Sequence, residues 1–500
     1  MAFETGRHDD HTKRPRATGR QKWMAAQASA YGGGGPRFQL TGGGIAFCCS
    51  QSGRGARAAA IISRSRAARQ GLPRPRRRRK PMQPVMDPAV PDFVNKLQRI
   101  DTYDEIEEIM KSQDFVMAGA DERFIFLEDT LIMAEGEQHS ELTRLFAPLM
   151  SRQAVAYYEL QLVEPAIQDS IAEMTSTRGE DGKVRADVVP LIHAALTRIS
   201  ARVTGVDGVD SKQATERFRD MVLAVSAATT ASYSSATNPG AIIQKGKDAL
   251  QALADEWMQA SLDRRIALAK QHKAGEIDAA DLPRDVLMSL CLAEDLSRPD
   301  DDERVPYVWR HCAQFLTGSI KTTSHMLPHA FVHIDEWIKE HPEDRPNLTD
   351  PEWLHRAIAE AFRLHQTTPA RFRKATKDVE LSTGRKVASG EMVAIHAPVA
   401  NVEAFGEDGR YFNIHREVPK GKKAWGMTFG IGKHSCIGQN LVTGIMNKGD
   451  AKHGTHGTAV RLLKAMYELG AELDPDNPPQ RPHDNLHDTW ESVPVILHKA

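Results

Sequence analysis

The stretch that most constrains this chain is the loop Trp425–Gly438, whose sequence is WGMTFGIGKHSCIG. Gly430 and Gly432 permit backbone angles that residues with a Cβ avoid, so a tight turn can form here. The turn would present Cys436 at the start of the helix predicted to follow it, where free backbone N–H groups favour a thiolate. A thiolate held in this way is a metal ligand or a nucleophile, and the ring of Phe429 can shield the sulfur from water.

The pattern of this loop resembles the haem-binding loop of the cytochrome P-450 family, F-x-x-G-x-x-x-C-x-G. Phe429, Gly432, Cys436 and Gly438 occupy the fixed positions of that pattern, and His434 occupies a position at which bacterial members often contact a haem propionate. The resemblance implies that Cys436 binds the iron of haem b as its axial thiolate ligand. A buried structural cysteine in a glycine turn is the alternative interpretation of the loop alone.

The composition argues against several other classes of protein. Five cysteines in 500 residues are too few and too scattered for a disulfide framework. They fit a reducing compartment, so we expect a cytoplasmic protein. No apolar run is long enough to predict a membrane span. The formal net charge is −1, but basic residues are concentrated in residues 1–80. The rest of the chain is therefore acidic and lacks the basic stripe of a nucleic-acid-binding protein.

Residues 1–86 differ in composition from the rest of the chain. They are rich in Gly, Arg, Ala and Ser and carry a strongly basic stretch at Arg74–Lys80. No sustained amphipathic period is visible, so we expect this leader to be disordered. Three interpretations stay open: a targeting peptide, a nucleic-acid-binding tail, or sequence upstream of a true start at Met82 or Met86. The catalytic domain is predicted to span residues 87–500.

A long helix is predicted for Pro306–Lys339, and its centre resembles the family's I helix, which crosses the distal haem face with the pattern A-G-x-D/E-T-T. Aligning Thr322–Thr323 with the paired threonines places Lys321 where the family carries an acid that takes part in proton transfer. The resemblance assigns Thr322 to the same relay, and it keeps this role if Thr317–Gly318 is the small pair and the helix bulges. A lysine can donate a proton there only if its pKa is lowered, for example by burial. The alternative for Thr322 is a hydroxyl bonded back to a helix carbonyl.

Two further residues resemble haem-propionate contacts. His139 lies in the stretch Glu135–Met150, which resembles the family's C helix, although Thr143 stands where a second propionate-binding arginine is common. Arg373 precedes Asp378 at the spacing of a propionate-contacting arginine, and a guanidinium pairs with a carboxylate through a bidentate fork. An ordinary polar residue at a helix start is the alternative for His139.

Glu360 and Arg363 form an E-x-x-R motif on a predicted helix, so their side chains share a face and can pair. The order of this motif and the cysteine loop resembles the family's K helix, whose partner is an arginine in a downstream meander, here Arg416. The resemblance implies a structural role. A buried glutamate with two arginines would fix the loop beneath the haem, because breaking one pair leaves an unpaired charge.

Other elements are predicted from hydrophobic periodicity and turn residues. Helices are predicted for Thr102–Ser112, Arg152–Met174, Ser211–Thr229, Gly240–Ala274, Gln439–Met446 and Thr458–Leu469. Strands are predicted for Phe124–Ile132, Val379–Leu381, Met392–Ile395 and Ser492–Leu497. A glycine-rich insertion, Asn447–Gly457, separates the last two helices.

The resemblance implies one mainly α-helical domain with a smaller β region and haem b between the long helix and the cysteine loop. The implied activity is that of a monooxygenase, which inserts one atom of O2 into a small apolar substrate. Electrons would come from NAD(P)H through a ferredoxin reductase and a ferredoxin. Lys420, Lys422 and Lys423 offer either a docking surface for such a donor or a solvated loop. No flavin or ferredoxin domain is fused, because neither a G-x-G-x-x-G motif after a strand nor an iron–sulfur cysteine cluster is present.

Two alternative functions stay open at this point. Lys321 motivates a peroxide-driven or isomerase-like haem-thiolate enzyme that needs no acidic relay. The other alternative is a haem-binding sensor without turnover. No motif names the substrate.

Overall fold

The computed structural model describes residues 83–499, apart from gaps at 120, 176–178, 180, 235–237, 300, 302–303, 446–454 and 483–485. Most of the predicted leader, 1–86, therefore lies outside the described residues. Its last part contacts the folded chain, because Val85 donates a backbone hydrogen bond to the carbonyl of Arg410 at 2.8 Å. The predicted insertion, 447–457, is described only from Thr455 onward.

Helices dominate the described residues. They are α1 Tyr103–Lys111, α2 Asp121–Leu127, α3 Gly136–Phe146, α4 Arg152–Tyr158, α5 Glu164–Met174, α6 Val188–Thr204, α7 Lys212–Ala228, α8 Pro239–Leu253, α9 Gln259–Lys273, α10 Val286–Ala293, α11 Tyr307–Glu340, α12 Pro351–Leu364, α13 Ala397–Glu403, α14 Gln439–Thr443 and α15 Thr458–Glu468. A π-helical turn joins α4 to α5, and another joins α8 to α9.

The long helix α11 runs through the middle of the fold. Most of its side chains are buried on several faces, because it packs against α6, α7, α10 and α12. A helix that is apolar all round in this way belongs in the core of a large domain. The predicted bounds differ from the observed ones by a single residue at each end, and Pro328 lies within the helix without ending it.

The β region consists of three small sheets among the described residues. The strands are β1 Gln98–Ile100, β2 Phe115–Ala118, β3 Val184–Asp187, β4 Arg371–Ala375, β5 Val379–Glu380, β6 Lys386–Val387, β7 Met392–Ile395, β8 Ala471–Leu473 and β9 Pro494–Leu497. The first sheet has the order β1-β7-β4-β2, with β1 parallel to β7 and the other pairs antiparallel. The others are β3-β9-β8 and β5-β6, both antiparallel.

Three predicted elements need correction. Phe124–Ile132 is not a strand but part of α2 and the turns after it, because an apolar run this short fits a buried helix face as well as a strand. The helix after the cysteine loop ends at Thr443, since Gly444 takes a left-handed φ of 74° and turns the chain. The final strand begins at Pro494, two residues later than predicted. Helix α6 was not predicted at all.

Candidate active site

The cysteine loop is held by its own backbone and by a close contact with α1. The N–H of Cys436 donates to the carbonyl of Phe429 at 2.7 Å, which closes the turn. Gly432 has a φ of 73°, and a Cβ at this position would collide with the carbonyl of Met110 in α1. Glycine is therefore required here both by backbone conformation and by packing. The ring of Phe429 is buried and meets Trp425 edge-on at 5.7 Å between ring centroids.

Cys436 keeps accessible surface, although many protein atoms surround its sulfur. Burial raises the pKa of its thiol, although hydrogen bonds from the backbone N–H groups of Gly438 and Gln439 and the charge of Arg371 act in the opposite direction. The N–H groups at the helix start therefore favour the thiolate as the sequence predicted, but in the protein alone burial outweighs them. Binding to a metal ion would deprotonate the thiol outright.

Arg371 was missed in the sequence analysis and holds the segment just before the cysteine. Its guanidinium donates to the carbonyls of Met427 at 3.0 Å and Thr428 at 2.7 Å. Burial lowers its pKa to about 10, while the charge of Cys436 opposes that change. Arg371 and Arg373 are two residues apart on β4 and so lie on one face of the strand. That spacing was the available signal.

Of the three side chains predicted to contact propionates, His434 contacts the carboxylate of Glu135 and His139 packs against His434. His434 and Lys433 lie 3.1 and 2.5 Å from that carboxylate, and the ring of His139 meets that of His434 at 4.5 Å. Burial alone would raise the pKa of Glu135, but hydrogen bonds from His434, Lys433 and a backbone N–H lower it to about 2. Glu135 was also missed in the sequence analysis.

Arg373 is nearly fully buried and donates a hydrogen bond to the carbonyl of Phe372 at 2.8 Å. Burial, together with the charge of Arg371, lowers its pKa to about 10, and the charge of Glu135 opposes the change. Among the described residues, no carboxylate forms an ion pair with it. A guanidinium that is buried without a carboxylate partner is stabilised when an anion binds to it.

The central part of α11 exposes one narrow stripe although the residues around it are buried. Gly318 is exposed, a Cβ there would meet open space, and Lys321, Thr322 and His325 keep accessible surface on the same face. The hydroxyl of Thr322 donates to the carbonyl of Gly318 at 2.5 Å. This hydrogen bond to a helix carbonyl is the alternative role that the sequence left open for Thr322. The oxygen stays at the accessible surface.

Lys321 does not point toward Thr322. Its Nζ donates to Oγ1 of Thr230, just beyond the end of α7, at 2.9 Å and lies 3.4 Å from Nε2 of His487. Burial, together with the charge of Arg123, lowers its pKa to about 8. His487 belongs to the segment before β9, and nothing in the local sequence indicated that it would meet α11.

Glu360, Arg363 and Arg416 form one buried charge cluster. Glu360 accepts hydrogen bonds from Nε and a terminal nitrogen of Arg363, both at 2.8 Å, and from Nε of Arg416 at 2.8 Å. Arg363 is fully buried. Arg416 also pairs with Asp408 at 2.8 Å. The geometry is that of a glutamate bridging two arginines across α12 and the segment before the cysteine loop.

Asn401 connects this cluster to the cysteine loop and was not singled out from the sequence. Arg363 donates to its backbone carbonyl at 3.1 Å. Its side-chain oxygen accepts the N–H of Met427 at 2.8 Å, and its amide donates to the carbonyl of Arg363 at 3.2 Å. Gly426 packs so closely on this amide that a Cβ there would collide with it.

The three lysines before the cysteine loop have different surroundings. Lys420 and Lys423 are exposed, and Lys423 reaches Oε1 of Gln439, in the helix after the cysteine, at 3.5 Å. The ammonium of Lys422 lies 3.4 Å from the centroid of the Tyr103 ring, where a cation–π interaction holds it against α1. At least one of these lysines therefore lies beside the cysteine loop.

These residues fit a haem. Cys436 offers an accessible sulfur that receives backbone N–H bonds, as metal-bound thiolates do. Arg373 lacks an anionic partner among the described residues. The charge of Glu135 acts on Arg373 and on His139, and the same carboxylate contacts His434. Cys436 would bind the iron, and Arg373, His139 and His434 would bind the propionates.

The comparison with protein families decides the assignment. The family model described as Cytochrome P450 matches residues 95–447, most of the chain. The chain belongs to the cytochrome P-450 family. The family recognised from the cysteine loop and the mainly α fold class predicted with it are confirmed. Members of this cytochrome P-450 family are haem-dependent oxidoreductases.

Solved structures show the same fold at low sequence identity. CalO2 is 17% identical, with a TM-score of 0.59, and the match covers 83% of this chain and 92% of CalO2. CYP109E1 from Bacillus megaterium, solved with testosterone, is 17% identical, with a TM-score of 0.57 over 82% and 96% of the two chains. A mutant of EryK, solved with erythromycin B, is 19% identical, with a TM-score of 0.56 over 80% and 90%.

No curated protein matches this sequence. Within the described residues, none of the helices has the length and apolar character needed to cross a bilayer.

Proposed function

We propose that this protein is a haem-thiolate monooxygenase that inserts one oxygen atom from O2 into a small, mainly apolar organic substrate. The single observation that supports this best is the accessible sulfur of Cys436, which receives backbone N–H bonds inside a loop matching the family pattern. Bound haem supplies the activation of dioxygen. In the overall reaction one oxygen atom enters the substrate and the other leaves as water, with two electrons and two protons consumed.

The chain's own residues would bind, orient and exclude water. Cys436 would hold the iron, and Arg371 would hold the preceding loop through the carbonyls of Met427 and Thr428. Arg373, His139 and His434 would orient the haem through its propionates. Thr322 would hold a proton at Oγ1, because its hydroxyl lies on the accessible stripe of α11 and its bond to Gly318 can be exchanged for one to a bound group.

Electrons would come from NAD(P)H through a ferredoxin reductase and a ferredoxin. The exposed ammonium groups of Lys420 and Lys423, the second beside α14, support docking of an acidic donor on this face. Such an arrangement would act mainly on the rate of association and would weaken as salt screens the charges.

The test is product formation with isotopically labelled dioxygen, donor proteins and NAD(P)H. The proposal expects one labelled oxygen atom in the product and no product from Cys436→Ser. Turnover with peroxide that is better than turnover with donors would instead support a peroxygenase. One observation favours that second candidate: Lys321 is turned to Thr230 and His487, so no acid stands at the relay position on α11. Haem binding without product from a broad substrate panel would support a sensor.

A further inference from the structure

Lys321 places a cation inside the protein, and the described residues offer no anion to neutralise it. Among the described residues, no carboxylate forms an ion pair with its Nζ, whose hydrogen-bond partner is the hydroxyl of Thr230 at 2.9 Å, with Nε2 of His487 at 3.4 Å. Thr230 uses its own hydrogen to donate to the carbonyl of Ser226. An ammonium has three donors, so at least one is left for another acceptor.

The other described groups around Lys321 also carry no negative charge. Nδ1 of His487 lies 3.2 Å from the carbonyl of Thr367, which places the proton of the neutral ring on Nδ1 and leaves Nε2 as an acceptor for Lys321. His325, one helical turn along α11, has its Nδ1 buried without a hydrogen-bond partner among the described residues. Arg123 of α2 adds a second positive charge, which lowers the pKa of Lys321.

Lys321 lies on the same open stripe of α11 as the residue assigned to proton transfer. Gly318, Lys321 and His325 follow one another at three- and four-residue spacing on one helix face, and Thr322 lies four residues after Gly318 and about 100° round the helix from Lys321. All four keep accessible surface, as does Ser319, on a helix most of whose other central residues are buried. A ligand beside Thr322 would reach the ammonium of Lys321 by extending round the helix toward Thr230 and His487.

We propose that Lys321 binds a carboxylate of the substrate, so that the substrate is an apolar molecule carrying a single carboxylate. This inference rests on the proposed function and narrows its substrate class. A charge buried without a partner is costly, and an opposite charge with hydrogen bonds removes most of that cost. Two of the three donors of the ammonium face Thr230 and His487, so the remaining donor can bind one monoanionic group.

The experiment measures binding to the purified, haem-loaded protein by calorimetry. The probes are saturated fatty acids of several chain lengths, each paired with the primary alcohol of the same length. Lys321→Met removes the charge and keeps the volume. Lys339→Met on the exposed end of the same helix, where the ammonium pairs with Asp335 at the surface, is the matched control.

We expect the unaltered protein and Lys339→Met to prefer at least one acid over its alcohol. We expect Lys321→Met to bind that acid at least about tenfold more weakly, with the affinity for the alcohol changed by less than about threefold. Equal losses for acid and alcohol, an unchanged affinity for the acid, or no binding of any acid by the unaltered protein would each overturn the inference.

Proton uptake gives a second readout. The groups that face Lys321 are Arg123, His487 and His325, with His193 of α6 beyond His325. Burial lowers the pKa of His487 to about 3 and of His193 to about 4, and that of His325 well below its ordinary value, so these rings are neutral near pH 9. Above pH 8 Lys321 is mostly neutral, and a bound carboxylate raises its pKa. Acid binding at pH 9 should therefore take up close to one proton in the unaltered protein and in Lys339→Met, but none in Lys321→Met.

Failure of this inference is distinguishable from failure of the proposed function. A protein that shows the haem-thiolate spectrum but no preference for acids contradicts the carboxylate site alone. A protein without that spectrum contradicts the proposed function, whatever it binds.

Discussion

Replacing Glu360 by glutamine removes the one anion shared by two buried arginines. Glutamine keeps the volume and one carbonyl acceptor, but it removes the charge that pairs with Arg363 and Arg416, each through bonds of 2.8 Å. Arg416 keeps a bond to Asp408. Arg363 is fully buried and keeps the carbonyl of Asn401 and the ring of Phe405, neither of which carries a negative charge.

The expected loss of unfolding free energy follows from removing the negative charge that neutralises Arg363. Removing one partner of a buried ion pair typically lowers the free energy of unfolding by about 3–5 kcal/mol, because the remaining charge stays buried. We expect a loss in that range for Glu360→Gln. Glu352→Gln in the first turn of the same helix changes an exposed residue whose charge acts on the helix dipole and on His355, so it should cost less than about 1 kcal/mol.

Chemical denaturation with haem absorbance and circular dichroism as separate probes measures this loss. The double variant Glu360→Gln/Arg363→Met also removes the cation that Glu360→Gln leaves without its ion pair, so it should recover part of the stability. The effects of the two changes on the free energy of unfolding would then not add. A loss below about 1 kcal/mol for Glu360→Gln, or strict additivity in the double variant, would refute the assignment of a compensated buried cluster.

Three further predictions concern the loop and its surroundings. Glu135 has a pKa of about 2 in the folded protein and 4.5 as its ordinary value, so its charge stabilises the fold above about pH 4.5 and this contribution is lost as the pH falls toward 2. Glu135→Gln should therefore unfold more easily than the unaltered protein at pH 7, by about 2 kcal/mol, with a difference that shrinks on acidification in thermal melts, whereas the exposed Glu137→Gln should show neither effect. Gly432→Ala should destabilise the protein and reduce haem loading more than Gly384→Ala, which has a similar φ of 84° but open space at the Cβ, and equal effects would contradict the packing argument. Lys423→Glu should slow electron transfer from a ferredoxin at low salt and not at high salt, and an unchanged rate at low salt would place the donor elsewhere.

Local patterns predicted the parts of the site that depend on a short stretch of chain. The cysteine loop was identified because its glycines and its cysteine lie within a few residues of each other. Glu360 and Arg363 pair as the helical spacing predicts, since the contact is between neighbours on one helix face. The bounds of α11 followed from its long periodic pattern.

Contacts between distant segments were beyond prediction. The direction of Lys321 is decided by Thr230 and His487, which lie far from it in sequence and were not connected to it by any motif. The raised pKa of Cys436 depends on how many protein atoms surround the sulfur, which a pattern of residue types does not record. The stretch after Arg123 was taken for a strand because its apolar residues are equally consistent with the helix face they form.

The bond between Cys436 and haem iron is the central claim, and carbon monoxide bound to the reduced, haem-loaded protein tests it most directly. The claim predicts the red-shifted Soret band of a thiolate-ligated haem in the unaltered protein and in Cys291→Ser, whose cysteine is buried in α10. It predicts no such band in folded Cys436→Ser. A folded, haem-loaded protein without the red-shifted band, or a Cys436→Ser variant that retains it, would contradict the assignment.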